Sequence, residues 1–103
     1  MNIQDLRILY QKDLIFMTEH VINRCRQRNI KPQDIRNAID YGIIIEDYPD
    51  DYPYPSCLIL GLTISQKSLH VVVGSNGQLA NVITAYYPDP DKWDHELKTR
   101  KAE

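Results

Sequence analysis

Apolar residues in the first part of the chain recur every three or four positions, and after Gly42 they alternate or gather in short runs between turn signals. The chain therefore changes there from helix-forming to strand-forming. Residues 2–12 predict an amphipathic helix capped by Asn2, with Ile3, Leu6, Leu9 and Tyr10 near one face. Leu14-Ile15-Phe16-Met17 is short and wholly apolar, and periodicity leaves open whether it is a connector or a strand. Thr18 can cap a second helix running to about Asn29. Pro32 suits the first turn of a third, which carries Ile35, Ala38 and Ile39 as its apolar face and ends at Gly42 as a C′ stop.

Ile43 to Tyr48 predicts a strand, followed by a loop over Pro49 to Ser56 rich in Pro, Asp and Tyr. Cys57 to Thr63 alternates, with Leu58, Leu60 and Leu62 on one face. Leu69 to Val73 is almost wholly apolar, as a central strand would be. Asn76-Gly77 is a hairpin signal, and Leu79 to Tyr87 predicts the fourth strand. Asp89 and Pro90 can open a last helix, with Trp93 and Leu97 four apart. Such short connections predict an α+β fold: N-terminal helices, then a four-stranded antiparallel sheet and a C-terminal helix.

Composition narrows the class. A chain of 103 residues has room for one domain, residues 1–103, with one modest core. Hydrophobic content of 43% and charged content of 25% are ordinary for a globular protein. No apolar run reaches membrane-spanning length and no signal-peptide pattern opens the chain, so a cytoplasmic protein without a membrane partner is expected. Cys25 and Cys57 stand alone and read as reduced structural thiols. Cysteines and histidines at metal-ligand spacing are lacking, and neither a metal nor another cofactor is expected.

The net charge of −2 argues against a surface coated in nucleic acid, but the charges are segregated. Arg24, Arg26, Arg28, Lys31 and Arg36 place five of the twelve basic residues within thirteen positions. Glu46, Asp47, Asp50 and Asp51 then form an acidic cluster. A run of like charge is commonly a solvated face; a local basic patch can also steer an anion.

His20, Arg24 and Arg28 fall four apart in the second helix, on one stripe. With Val21 at zero, Cys25 and Ile22 fall near about 40° and 100°, the buried arc, and the stripe runs from about −20° to −100°. The stripe therefore borders the buried arc, where residues lining a cleft belong. The guanidinium groups and the helix N-terminus favour neutral imidazole, which can take a proton. Two arginine forks can hold phosphate oxygens. The competing reading is a histidine bonded near a helix start and two surface ion pairs, with the acidic cluster at 46–51 as their partner.

Other side chains are weaker candidates. Thr84 and Tyr86 stand two apart on a strand, and both are also common strand residues. His70, out of phase with Leu69, Val71 and Val73, is either a second acid/base on the other face or a satisfied core histidine. His95 is expected to be exposed. Tyr52 and Tyr54, interleaved with Pro53 and Pro55, make either a stacking edge or loop packing. There is no Gly-rich phosphate loop and no G-x-S-x-G.

T-E-H-V-I-N-R-C-R-Q-R-N-I, then D-I-R-N-A-I-D-Y-G-I-I-I-E-D-Y, then L-H-V-V-V, then I-T-A-Y-Y-P-D-P-D-K-W make an ordered set over about residues 18–101. The set resembles a family of small prokaryotic proteins classed only as a domain of unknown function. That family is grouped with RelE- and BrnT-like toxins, whose fold is shared with barnase-type ribonucleases. The resemblance implies a RelE/barnase-like arrangement of helices before an antiparallel sheet. It also implies a ribonuclease toxin acting on RNA, free or ribosome-bound, and restrained by a cognate antitoxin, with zinc-finger-type antitoxins beside some relatives. By motif position His20, Arg24, Arg28, Thr84 and Tyr86 inherit its candidate polar positions, and His70 more weakly. Such toxins are usually basic, whereas this chain is mildly acidic, which confines RNA contact to the patch at 24–36.

The expectation is therefore a metal-independent endoribonuclease in which His20 or Tyr86 deprotonates a ribose 2′-OH. Arg24 and Arg28 would stabilise the phosphate charge, Thr84 orient the phosphate, and Tyr86, His20 or His70 protonate the leaving oxygen. Arg26, Lys31 and Arg36 would extend the phosphate contacts. The alternative is a non-catalytic module binding protein or nucleic acid; a nucleotide hydrolase or transferase is a third reading that nothing in the sequence selects.

Overall fold

The structure, a computed structural model, describes residues 1–101. Three helices precede the main sheet: α1 (Ile3–Gln11), α2 (Glu19–Gln27) and α3 (Pro32–Tyr41), with β1 (Ile15–Phe16) between the first two. The strands β2 (Ile43–Tyr48), β3 (Ser56–Leu62), β4 (Ser68–Ser75) and β5 (Ala80–Tyr86) follow. The α+β class and the antiparallel meander of β2 to β5 are as the sequence predicts. The sheet nevertheless has five strands, in the order β1-β5-β4-β3-β2. The undecided apolar segment supplies the fifth: Ile15 and Phe16 pair in parallel with Ala80 and Asn81. A two-residue strand carries too little pattern to be distinguished from a connector before its partner is known.

Helix ends are fixed by local chemistry. Asn2 accepts a hydrogen bond from the Gln4 amide at 2.8 Å, and Thr18 accepts one from the Val21 amide at 3.2 Å. Helices α1 and α2 end in the same way. Asp13 and Asn29 each adopt a φ of 58°, in the left-handed region that short polar side chains tolerate. The following Leu14 and Ile30 amides then donate at 2.8 Å to the Leu9 and Cys25 carbonyls, which satisfies otherwise orphaned groups. Helix α3 ends differently. Gly42 has an ordinary extended φ of −90°, not the left-handed C′ conformation expected of it. Arg7 of α1 satisfies the end of α3, donating at 2.9 Å to each of the Ile39 and Gly42 carbonyls.

The helices cover one face of the sheet. Leu6, Leu9, Val21, Cys25, Ile30, Ile35, Ala38 and Ile39 pack against Cys57, Ile59, Leu69, Val71, Val73, Val82 and Ala85. The predicted C-terminal helix does not form. One turn starts, with the Trp93 amide bonded to the Asp89 carbonyl at 3.2 Å. Asp94 then accepts from the Leu97 amide through its backbone and from the Lys98 amide through its side chain, an alternative that aspartate offers readily. The chain folds back so that Trp93 and Arg100 form an isolated bridge. This segment lies against the face of the sheet opposite the helices, where Trp93 packs edge-on to His70 with ring centroids 4.5 Å apart. No helix among the described residues is long and apolar enough to cross a membrane.

Candidate functional site

The His/Arg stripe lines a cleft of about 230 Å³ bounded by His20, Val21, Arg24, Cys25, Arg28, Ile83 and Thr84. Its floor is the junction of α2 and β5. Strand β1 pairs with β5 only as far as Asn81, so the outer edge of β5 beyond that point lacks a neighbouring strand. Arg28, the C-cap of α2, fills the vacancy: its Nη1 donates to the Ala85 carbonyl at 2.8 Å and to Thr84 Oγ1 at 3.3 Å. One guanidinium thus ties the helix end to the sheet edge and still lines the cleft. A shift in strand register between Val72 and Val73 leaves Ile83 without a partner and kinks β5 at the cleft wall.

The acidic cluster is not the partner of the stripe. Asp47 pairs with the N-terminal amine at 3.0 Å, Glu46 with Arg100 at 3.2 Å, and Asp51 accepts from Ser56 at 2.6 Å. Among the described residues, His20 and Arg24 make no side-chain hydrogen bond or ion pair, and both are exposed. The cleft lining contains no carboxylate. It carries one imidazole and two guanidinium groups, a composition that suits an anion. Cys25 is not an activated nucleophile there: burial pushes its thiol up, against the opposing influence of Arg28.

Tyr86 and His70 are not in this cleft. Register keeps Thr84 and Tyr86 on the same side of β5, but they meet different neighbours. Thr84 meets Arg28; Tyr86 turns to His70, with ring centroids 5.4 Å apart. His70 has no exposed surface, and both ring nitrogens have partners. Nε2 lies 2.8 Å from the Leu97 carbonyl, which can only accept, so Nε2 carries the proton and Nδ1 accepts from the Tyr86 hydroxyl at 3.4 Å. Burial holds this imidazole below its ordinary value and pushes the Tyr86 phenol up.

The other predicted contacts are dispersed. Arg26 bonds Asn23 at 3.3 Å. Arg36 pairs with Asp40 at 3.6 Å and lies over the Tyr10 ring, remote in role from the cleft. Lys31 caps α3 and lines a second pocket with Asn29, Asp34, Ile64, Ser65, Lys67 and Tyr87. His95 is exposed, as expected, and Tyr52 is 91% exposed. Sequence reasoning missed Lys67 and Tyr87, which lie far from the stripe along the chain. It also missed the Glu46–Tyr48–Arg100 group, in which Arg100 grips Glu46 through two nitrogens and Tyr48 donates to the same carboxylate. Among the described residues no group of three or more His, Cys, Asp or Glu is placed to hold a metal ion.

No curated protein and no solved structure matches the chain significantly. The family defined as a domain of unknown function, DUF4258, matches residues 17–87, from the residue before the α2 cap to the residue after β5. That span covers the His/Arg stripe, Thr84 and the whole of β2 to β5, and the chain belongs to the DUF4258 family.

Proposed function

We propose that this protein is a toxin-type endoribonuclease, of RelE- and BrnT-like kind, that cleaves RNA without a metal at the His20/Arg24/Arg28 cleft. The observation that carries the reading is that two guanidinium forks and an imidazole line one open cleft free of carboxylates. His20 takes the proton of a ribose 2′-OH, and the 2′-oxygen attacks the adjacent phosphorus. The bond to the 5′-oxygen breaks, leaving a 2′,3′-cyclic phosphate. Arg24 and Arg28 hold the non-bridging oxygens as charge builds on them, the work a metal ion does elsewhere. Thr84 is engaged by Arg28 and fixes the direction of that fork. With Tyr86 and His70 bonded to each other beneath the C-terminal segment, the leaving oxygen takes its proton from solvent in the exposed cleft. A cognate antitoxin would restrain the activity by covering this basic surface.

The test is cleavage of single-stranded RNA by the purified protein in EDTA. The expected product ends in a cyclic phosphate, and His20→Ala lowers the rate by roughly 100-fold, the low end for loss of a general base. Unchanged cleavage in both His20→Ala and Arg24→Ala removes these roles. A non-catalytic RNA-binding module is the second reading, favoured by the presence of only one acid/base group in the cleft apart from the buried Cys25. It predicts RNA binding without cleavage, and no growth arrest on expression.

A further inference from the structure

A second pocket is connected to the cleft through the end of α2. Arg28 ends α2, and the next residue, Asn29, lines the second pocket, of about 250 Å³, and begins the turn into α3. Three elements converge there: Lys31 from the α2–α3 turn, Lys67 from the β3–β4 turn, and Tyr87 one residue beyond β5. The Tyr87 hydroxyl donates to the Asn29 carbonyl at 2.9 Å, which fixes the ring beside the end of α2. Lys67 Nζ lies 5.9 Å from the centroid of that ring. The turn that presents Lys67 is itself held: its amide donates to Thr63 Oγ1 at 3.0 Å, and Gln66 takes a φ of 71°. Asp34 is the one carboxylate in the pocket lining, and its two oxygens accept from the Lys31 and Ile64 amides at 2.9 and 3.0 Å. The ammonium groups of Lys31 and Lys67 have no ion-pair partner among the described residues.

An exposed aromatic ring with one ammonium group over it and a second lining the same pocket leaves its other face for a stacked base and supplies cations for the flanking phosphates. Tyr87 stands two residues beyond Ala85, the carbonyl that anchors Arg28, and so about 7 Å farther along the strand direction. We infer that the phosphate cleft continues into a base-stacking subsite formed by Tyr87 between Lys31 and Lys67, so that the ligand is single-stranded RNA engaged over at least two successive nucleotides. The inference rests on the RNA reading of the His20/Arg24/Arg28 cleft and adds the strand state and the second contact.

The experiment is fluorescence anisotropy with a labelled single-stranded oligouridylate and with a duplex RNA of equal length. The native protein binds the single strand more tightly than the duplex. Tyr87→Leu weakens single-strand binding by roughly tenfold, the loss of one stacked base. Tyr87→Phe, which keeps the ring but loses the hydroxyl that fixes it, binds more tightly than Tyr87→Leu and no more tightly than the native protein. Lys67→Gln reduces the salt dependence by about one phosphate contact. Thermal unfolding confirms that each variant is folded. If Tyr87→Leu binds as the native protein does while Arg24→Gln binds weakly, the subsite is overturned and the phosphate cleft stands. Tighter duplex binding overturns the single-strand assignment. If native protein binds neither RNA at low salt, the RNA reading falls and the subsite with it. Stacking without any cleavage upholds the subsite and leaves only the binding module.

Discussion

His70 and Arg28 illustrate two fates of a polar side chain in this fold. His70 is enclosed, so desolvation favours its neutral form and its folded-state ionisation lies below the ordinary value of about 6.5. Just below that value the unfolded chain binds the extra proton and the folded one does not. Stability is therefore complete above the ordinary value and is lost as pH falls through it toward the depressed folded value. Glu46 acts in a lower window. Burial pushes its carboxyl up, but hydrogen bonds from Tyr48 and Arg100 outweigh burial and hold it below the usual range. Its contribution is lost only as pH drops through that depressed value. The unfolding midpoint should decline between about pH 7 and pH 5, and the decline should be shallower in His70→Phe; an identical slope in that variant would assign the effect elsewhere. The sequence marked His70 as either acid/base or satisfied core histidine, and its ring nitrogens take the second form. Arg28 was legible as part of a stripe, but its bond to the Ala85 carbonyl was not, because a strand edge has no sequence signature of its own.

At the scale of elements, α3 lies in close contact with β3. A Cβ added to Gly61 would lie 2.5 Å from Ala38 Cα and 2.6 Å from Ala38 Cβ. One added to Gly42 would lie 2.2 Å from the Ala38 carbonyl oxygen. Gly42 is thus required by proximity and not by turn conformation, which is why reading it as a left-handed stop predicted the right helix end for a different reason. Gly61→Ala should force α3 away from the sheet and cost about 1–3 kcal/mol, measured by chemical denaturation. An unchanged midpoint would mean that helix and sheet separate freely. The C-terminal segment shows the reverse case, a helical spacing overridden by tertiary contacts. Trp93 gains the edge of His70, while Arg100 lies 4.6 Å from the centroid of the Trp93 ring and reaches Glu46. Leu97 adopts a φ of 63° as its carbonyl meets His70, a conformation in which a leucine is strained.

Across the whole molecule, charge is organised by partnership more than by sign. The net charge is −2, yet acidic Asp47, Glu46 and Asp40 are paired with the N-terminus, Arg100 and Arg36. Arg24, Arg28, Lys31 and Lys67 form no ion pair among the described residues, and they line two pockets that meet the chain on either side of the end of α2. On the proposed RNA reading, affinity should fall with salt with a logarithmic slope of roughly −3, the value for four single-strand phosphate contacts. Arg36→Gln should leave that slope unchanged, because Arg36 is engaged by Asp40 and Tyr10; a reduced slope would return Arg36 to the binding surface. The sequence by itself determined the three helices, the Asn2 and Thr18 caps, the antiparallel meander and the stripe bordering the buried arc, because these follow from local periodicity and neighbouring residues. Only the tertiary structure decided that β1 joins the sheet, that the last segment is not a helix, and which polar residues share a cleft. Those outcomes depend on contacts such as Arg28 with Ala85, Trp93 with His70 and Tyr87 with Asn29, between residues remote in the chain, whose energies no local pattern encodes.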